Sequence, residues 1–284
     1  MNWSVLIGLL AVQTGYLLAT GAWRRRFAAA NGGVVPPPVG RGRQAVFVAG
    51  VLTLGLALAS PLDALVALLQ SAHMVQHLLL TLIAPPLLLL GTPGWLLRPA
   101  LRWPGVARLA LRVTRAKLAF AIGNVVFVAW HIPAFYDLAL RFEPVHILEH
   151  LSMLATALVL WWPVVGMLPE LPSLSRPAQL LYVALQTLPG ALVGIILGMA
   201  EAPLYPTYVA APRLWGVPVL MDQQISGLIM WVGSNFFWLG VLTAVFFAWH
   251  AREEAEERAA AAVARADDGP RAENNHERIA RYPA

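Results

Sequence analysis

The chain reads as an all-α, polytopic membrane protein with seven transmembrane helices, its N-terminus outside and its C-terminus in the cytoplasm. Three observations predict this. The composition is 58% hydrophobic and only 12% charged, the balance of a chain that meets lipid. Seven apolar runs approach or exceed the about 20 residues that a bilayer crossing needs. Arginines gather between alternate runs, as cytoplasmic loops require.

The predicted spans are residues 3–23, 44–60, 72–97, 118–140, 145–167, 178–199 and 222–249. The first has no basic residues ahead of it and carries Arg24, Arg25 and Arg26 behind it. It therefore reads as an uncleaved helix and not as a signal peptide. The second is short, and residues 61–70 read as an amphipathic or re-entrant piece at the surface. Pro85-Pro86, Pro133 and Pro189 predict kinks in the third, fourth and sixth spans. Trp161-Trp162, near the inner end of the fifth, fits an aromatic belt. Residues 24–43 and the loop carrying Arg98, Arg102, Arg108, Arg112, Arg115 and Lys117 are expected in the cytoplasm, whereas the loops at 61–71, 141–144 and 201–221 are nearly free of Lys and Arg. Residues 1–250 thus form a membrane domain. Residues 251–284 form a charged cytoplasmic tail, helical first through pairs such as Glu254 and Arg258, then disordered beyond Asp267 on Gly, Pro, Asn and charge content.

Composition also excludes chemistry. With no cysteine there is neither a disulfide frame nor a thiolate metal site. Lys117 is the only lysine, so the basic balance is arginine between apolar runs, which points to topology and anionic lipid and not to nucleic acid. No Gly-rich phosphate loop and no serine nucleophile motif is present.

Five of the seven histidines lie in or beside the apolar runs: His73 and His77, His131, and His146 and His150. The two pairs have i, i+4 spacing, which puts both rings of a pair on one helix face. In the predicted topology both pairs open helices at the outer side. At about 1.5 Å per residue, His77 and His150 lie roughly 7 to 9 Å and His131 about 13 Å below that boundary. A single membrane-edge histidine is ordinarily an interfacial or hydrogen-bonded residue, but five at similar depth on three helices point to a metal or haem site. Depth ranks His77, His131 and His150 as an inner shell, with His73 and His146 one turn outward. Glu149 and Asp222 are candidates to take the second ring proton of a ligating imidazole, and Asp222 reads equally well as a helix N-cap. Met74, Met153, Met221 and Met230 offer thioethers, which with imidazole favour copper, though each also reads as packing. His250 and His276 read as cytoplasmic and solvated.

The ordered motifs His73-Met-Val-Gln-His77-Leu-Leu-Leu, Ala84-Pro-Pro-Leu-Leu-Leu-Leu-Gly91, Trp130-His-Ile-Pro-Ala-Phe-Tyr-Asp137, His146-Ile-Leu-Glu-His150 and Asp222-Gln-Gln-Ile-Ser-Gly-Leu-Ile-Met-Trp231 resemble the seven-helix cytochrome c oxidase assembly factors of the CtaG type. The resemblance covers about residues 45–250. It implies a non-enzymatic role in maturing a haem–copper oxidase in the bacterial plasma (inner) membrane. Copper delivery is the usual proposal, with oxidase subunits and periplasmic copper chaperones as partners, and His73, His77, His131, His146, His150 and Asp222 are the residues carried over. Two other functions compete: a haem or di-iron protein that moves electrons, and a metal-free scaffold for the oxidase subunit.

Overall fold

A computed structural model describes residues 3–280, and their side chains as far as residue 263. Every regular element among the described residues is helical. The chain divides into two compact units, Met1–Leu239 and Gly240–Ala284.

In the first unit, α1 (Trp3–Thr20) leads through two 3-10 turns to α2 (Arg41–Ala59). Ser60 is extended and its hydroxyl accepts the Leu62 amide at 3.1 Å, so the chain turns at once into the short α3 (Pro61–Val66). Pro61 suits this place because the first helical turn needs no N–H. Next, α4 (Gln70–Leu78) passes through one π turn (Leu79–Ile83) into α5 (Ala84–Gly91). Pro85 and Pro86 explain the irregular turn, since neither has an N–H to give the carbonyls of Thr81 and Leu82. The Trp161 indole donates to the Thr81 carbonyl instead, at 3.0 Å. Trp161 also stacks on Trp238 at 4.9 Å, and Trp162 is buried too. The tryptophan pair is therefore core and not the aromatic belt the sequence suggests.

After α6 (Gly94–Leu101) comes α7 (Pro104–Val113), bent 82° from α8 (Ala116–Trp130). No residue of α7 is buried; Trp103, Val106 and Leu109 are exposed on one side and Arg108 and Arg112 on the other. That is the pattern of a helix lying along a membrane surface. Helix α8 stops at Trp130. Pro133 forces Ile132 into an extended conformation, so the chain restarts as α9 (Pro133–Arg141) with His131 on the break.

The remaining elements are α10 (Glu143–Val165), α11 (Arg176–Leu185), α12 (Thr187–Gly198), α13 (Pro206–Ala210), α14 (Val219–Leu228), a second π turn (Ile229–Gly233) and α15 (Ser234–Ala280). Six helical stretches are long and apolar enough to cross a membrane: Trp3–Thr20, Arg41–Val66, Gln70–Gly91, Glu143–Val165, Arg176–Gly198 and Val219–Val263. The bent pair of α7 and α8 raises the number to at most seven. Six unbroken spans thus stand beside the seven expected, and the seventh turns on the fourth predicted stretch, where α8 runs only 15 residues before the break at Pro133. In the second unit Glu254 and Arg258 pair at 2.8 Å. The side chains beyond Asp267, where disorder is expected, and that of His276 fall outside the described set.

The first unit has two chemically distinct ends. At one, Arg98 bonds Glu170 at 2.8 Å and Asn31 at 2.9 Å, Arg102 reaches the Ala29 carbonyl, and Arg43 reaches the carbonyls of Leu90 and Thr92. At the other end α4, α10 and α14 begin and α8 stops. Helices α12 and α14 pack backbone to backbone: a Cβ on Gly227 would lie 2.4 Å from the Gly198 nitrogen and 2.6 Å from the Gly194 oxygen. Glycine is what allows that approach.

Candidate metal centre

The first turns of α4 and α10 lie side by side, and α8 ends against them. On α4 the i, i+4 spacing sets His73 beside His77, and on α10 it sets His146 beside His150, with ring centroids 4.2 Å apart and the planes steeply inclined in both pairs. The pairs face each other, His73 to His146 at 5.3 Å and His77 to His150 at 5.9 Å. The His131 ring lies 5.5 Å from that of His77. The fold therefore brings all five membrane histidines together, and the proline break after Trp130 is what turns His131 toward the others.

Glu149 sits among them. Its Oε1 lies 3.5 Å from His77 Nε2, and its Oε2 lies 3.8 Å from His73 Nε2 and 4.0 Å from His146 Nε2. One ligand atom from each of His73, His77, Glu149 and His150 fits within 4.8 Å of all the others. His73, His77 and Glu149 are wholly buried, whereas the His146 side chain is 24% exposed. The arrangement departs from the depth ranking: His73 belongs with His77 in the inner group, and Glu149 stands beside the imidazoles and not behind them. His131 flanks the group through His77. Distance along a helix axis cannot reveal this, because side-chain direction and helix tilt set which rings converge.

The polar atoms of this cluster are orphaned. Nε2 of His73, His77, His131, His146 and His150 and both oxygens of Glu149 are buried without a hydrogen-bond partner. An unsatisfied buried polar group costs about 1–3 kcal/mol, so several converging on one point mark a place built for a binder. Neutral imidazoles and a carboxylate all present lone pairs, and a cation satisfies them together. The residues thus fit a metal ion held by nitrogen and oxygen, a donor set that suits copper and zinc alike. The His131 tautomer follows from its partner: Nδ1 lies 2.7 Å from the Phe127 carbonyl, an acceptor only, so Nδ1 carries the proton and Nε2 the lone pair.

Asp222 is placed elsewhere than beside an imidazole. Its carboxylate accepts the Gln70 amide at 2.6 Å, the Ser71 amide at 3.3 Å and the Ser71 hydroxyl at 2.5 Å. It caps the N-terminus of α4 from α14 and so fixes the helix that carries His73 and His77. Of the methionines, Met74 and Met230 pack in the apolar cluster around Tyr136, and Met221 is exposed. Met153 lines a cavity of about 50 Å³ with Thr81, Asn124 and Gln186, one turn along α10 from Glu149. His250, in the second unit, lies 3.3 Å from Glu254.

Three tyrosines escape the sequence reading. Tyr136, Tyr205 and Tyr208 are buried against the cluster, with Tyr205 donating to the His131 carbonyl at 2.9 Å and Tyr208 lying 3.4 Å from His73 Nδ1. Burial raises the phenols of Tyr205 and Tyr208 far above the ordinary tyrosine range, so both remain neutral hydroxyls. The available signal was Tyr205-Pro-Thr-Tyr208, two phenols in a loop otherwise poor in charge. Asp137 holds this loop by accepting the Thr207 amide at 2.9 Å while bound to Arg141 at 2.6 Å.

No curated protein and no solved structure matches the chain. A family model described as cytochrome c oxidase caa3 assembly factor (Caa3_CtaG) matches residues 14–252. That stretch contains every histidine of the cluster, Glu149, Asp222 and the three tyrosines. The chain, a multi-pass helical membrane protein, belongs to the cytochrome c oxidase caa3 assembly factor family.

Proposed function

We propose that this assembly factor binds copper at His73, His77, Glu149 and His150, flanked by His131 and His146, and passes it to a nascent oxidase subunit in the membrane. The carrying observation is the convergence of orphaned lone pairs on one buried point, within 4.8 Å for the four central residues. Copper is cargo in this reading, and the chain's task is to hold and release it, not to transform a substrate. The family supplies the metal's identity, because its client is a cytochrome c oxidase, while the donor set supplies the capacity to bind it. His146, partly exposed like His150 but outside the four-residue group, is the point of exchange with a periplasmic copper chaperone or the oxidase.

The topology supports an outward site. The α4–α5 stretch descends from the histidine end to the arginine end, and α10 starts again at the histidine end, so α8 must carry the chain back between them. We infer that α8 is the seventh crossing, in the bacterial inner membrane. The arginine-rich end then faces the cytoplasm and the histidine end faces outward.

Metal analysis of the purified full chain, with its absorption spectrum, tests the reading. Copper without a Soret band is the expected result. A strong Soret band would make this a haem protein, and neither signal after copper exposure would leave a metal-free scaffold.

A further inference from the structure

We propose that Tyr208 is a positioning residue of the metal centre, one that holds His73 in the tautomer whose Nε2 is free to bind metal. The proposal rests on the copper reading above. Tyr208 is 2% exposed, and its hydroxyl meets three groups: the Val66 carbonyl at 2.9 Å, the Tyr136 hydroxyl at 3.3 Å and His73 Nδ1 at 3.4 Å. A phenol has one proton and accepts through its oxygen lone pairs. The Val66 carbonyl can only accept, and it is the nearest of the three, so the proton goes there. The phenol oxygen must then accept from both remaining neighbours, which requires that His73 carry its proton on Nδ1. A neutral imidazole protonated at Nδ1 keeps its lone pair on Nε2, the atom that lies 3.8 Å from Glu149 Oε2.

The same device operates on His131, whose Nδ1 is tied to the Phe127 carbonyl, whereas neither nitrogen of His77 has a partner. Tyr208 differs in where it comes from. It belongs to the outer segment of α13, and that segment is fixed at three further points. Asp137 accepts the Thr207 amide, Tyr205 donates to the His131 carbonyl, and Tyr205 packs on Tyr136 with centroids 4.2 Å apart. An extramembrane segment thus sets the donor atom of a buried ligand.

The test uses the full chain in nanodiscs, with Cu(I) supplied under reducing conditions against a competing chelator. Tyr208→Phe keeps the ring and removes the hydroxyl. It should weaken Cu(I) binding by about 10- to 100-fold, the usual effect of losing a partner to a ligating histidine. The Tyr208→Phe and His73→Ala effects should be non-additive, since each breaks the same link, while Tyr208→Phe and His131→Ala should add. Nitrogen-15 spectra of the histidine-labelled, copper-free chain should show His73 protonated at Nδ1 in the wild type and a tautomer mixture in Tyr208→Phe. Wild-type affinity in Tyr208→Phe, additivity with His73→Ala, or an unchanged His73 spectrum would overturn the proposal. If the wild-type chain binds no Cu(I), the copper reading fails by itself, and the nitrogen spectrum still decides whether Tyr208 sets the tautomer.

Discussion

Glu149 is the residue on which the site turns. Its carboxylate has no lysine or arginine partner among the described residues, and its nearest neighbours are imidazoles at 3.5 to 4.0 Å. A buried carboxylate so placed is costly to an empty site and useful to a filled one, since it offsets the charge of a bound cation. Glu149→Gln should therefore lose copper by more than the about 10- to 100-fold of an outer partner, while the copper-free protein unfolds at the same or a higher temperature. Thermal unfolding with and without Cu(I) checks both halves, and a strong fall in copper-free stability would mean Glu149 serves the fold instead. His146 makes a kinetic prediction because its side chain, partly exposed like that of His150, lies outside the four-residue group. His146→Ala should slow Cu(I) uptake more than it lowers final occupancy, whereas His77→Ala should abolish occupancy; stopped-flow uptake followed by metal analysis separates the two.

At the scale of elements, helix starts and close helix contacts hold the site in register. Asp222 acts through α4 with both oxygens accepting, so the geometry predicts that Asp222→Asn, which keeps one acceptor, costs less than Asp222→Ala, which costs about 1–2 kcal/mol of stability. Unfolding of the detergent-solubilised chain measures this, and equal losses in the two variants would argue against capping. The α12–α14 contact is more demanding. A methyl on Gly227 meets backbone atoms of Gly198 and Gly194, which cannot swing aside, whereas one on Gly233 meets only the end of Leu78 at 3.9 Å. Gly227→Ala should destabilise by about 1–3 kcal/mol or more, as overpacking does, with Gly233→Ala close to neutral. The prolines show how sequence local rules become site geometry. Pro85-Pro86 produce a π turn just below His77, and Pro133 ends α8 so that His131 joins the cluster.

Within the first unit, three loop-tying arginines and the five clustered histidines lie at opposite ends. Arg43, Arg98 and Arg102 tie loops together at one end, and the histidine–glutamate cluster occupies the other. If α8 is the seventh crossing, reporters fused after Arg43, Lys117 and His250 should all read cytoplasmic. A periplasmic reading at His250 with Lys117 cytoplasmic would put α8 outside the crossing count, and a periplasmic reading at Lys117 would reverse the face on which the histidines open. Deleting the protein should lower the activity of a copper-containing terminal oxidase under copper limitation without reducing transcription of its subunits. Full oxidase activity in such a strain would contradict the delivery role.

The helical class, the approximate spans, the family motifs and the five histidines were all legible in the chain, because hydropathy, i, i+4 spacing and proline act over a few residues. The sequence determined which helices carry the clustered histidines and at which ends. Only the tertiary structure decided which atoms meet. It moved Glu149 into the group, turned Asp222 into the cap of another helix, and brought Tyr205 and Tyr208 from a loop to the buried rings. These contacts join residues as far as 152 positions apart. Which side chains meet over such separations depends on helix tilt, rotation and close backbone approach, and none of these leaves a period in the sequence for local rules to read.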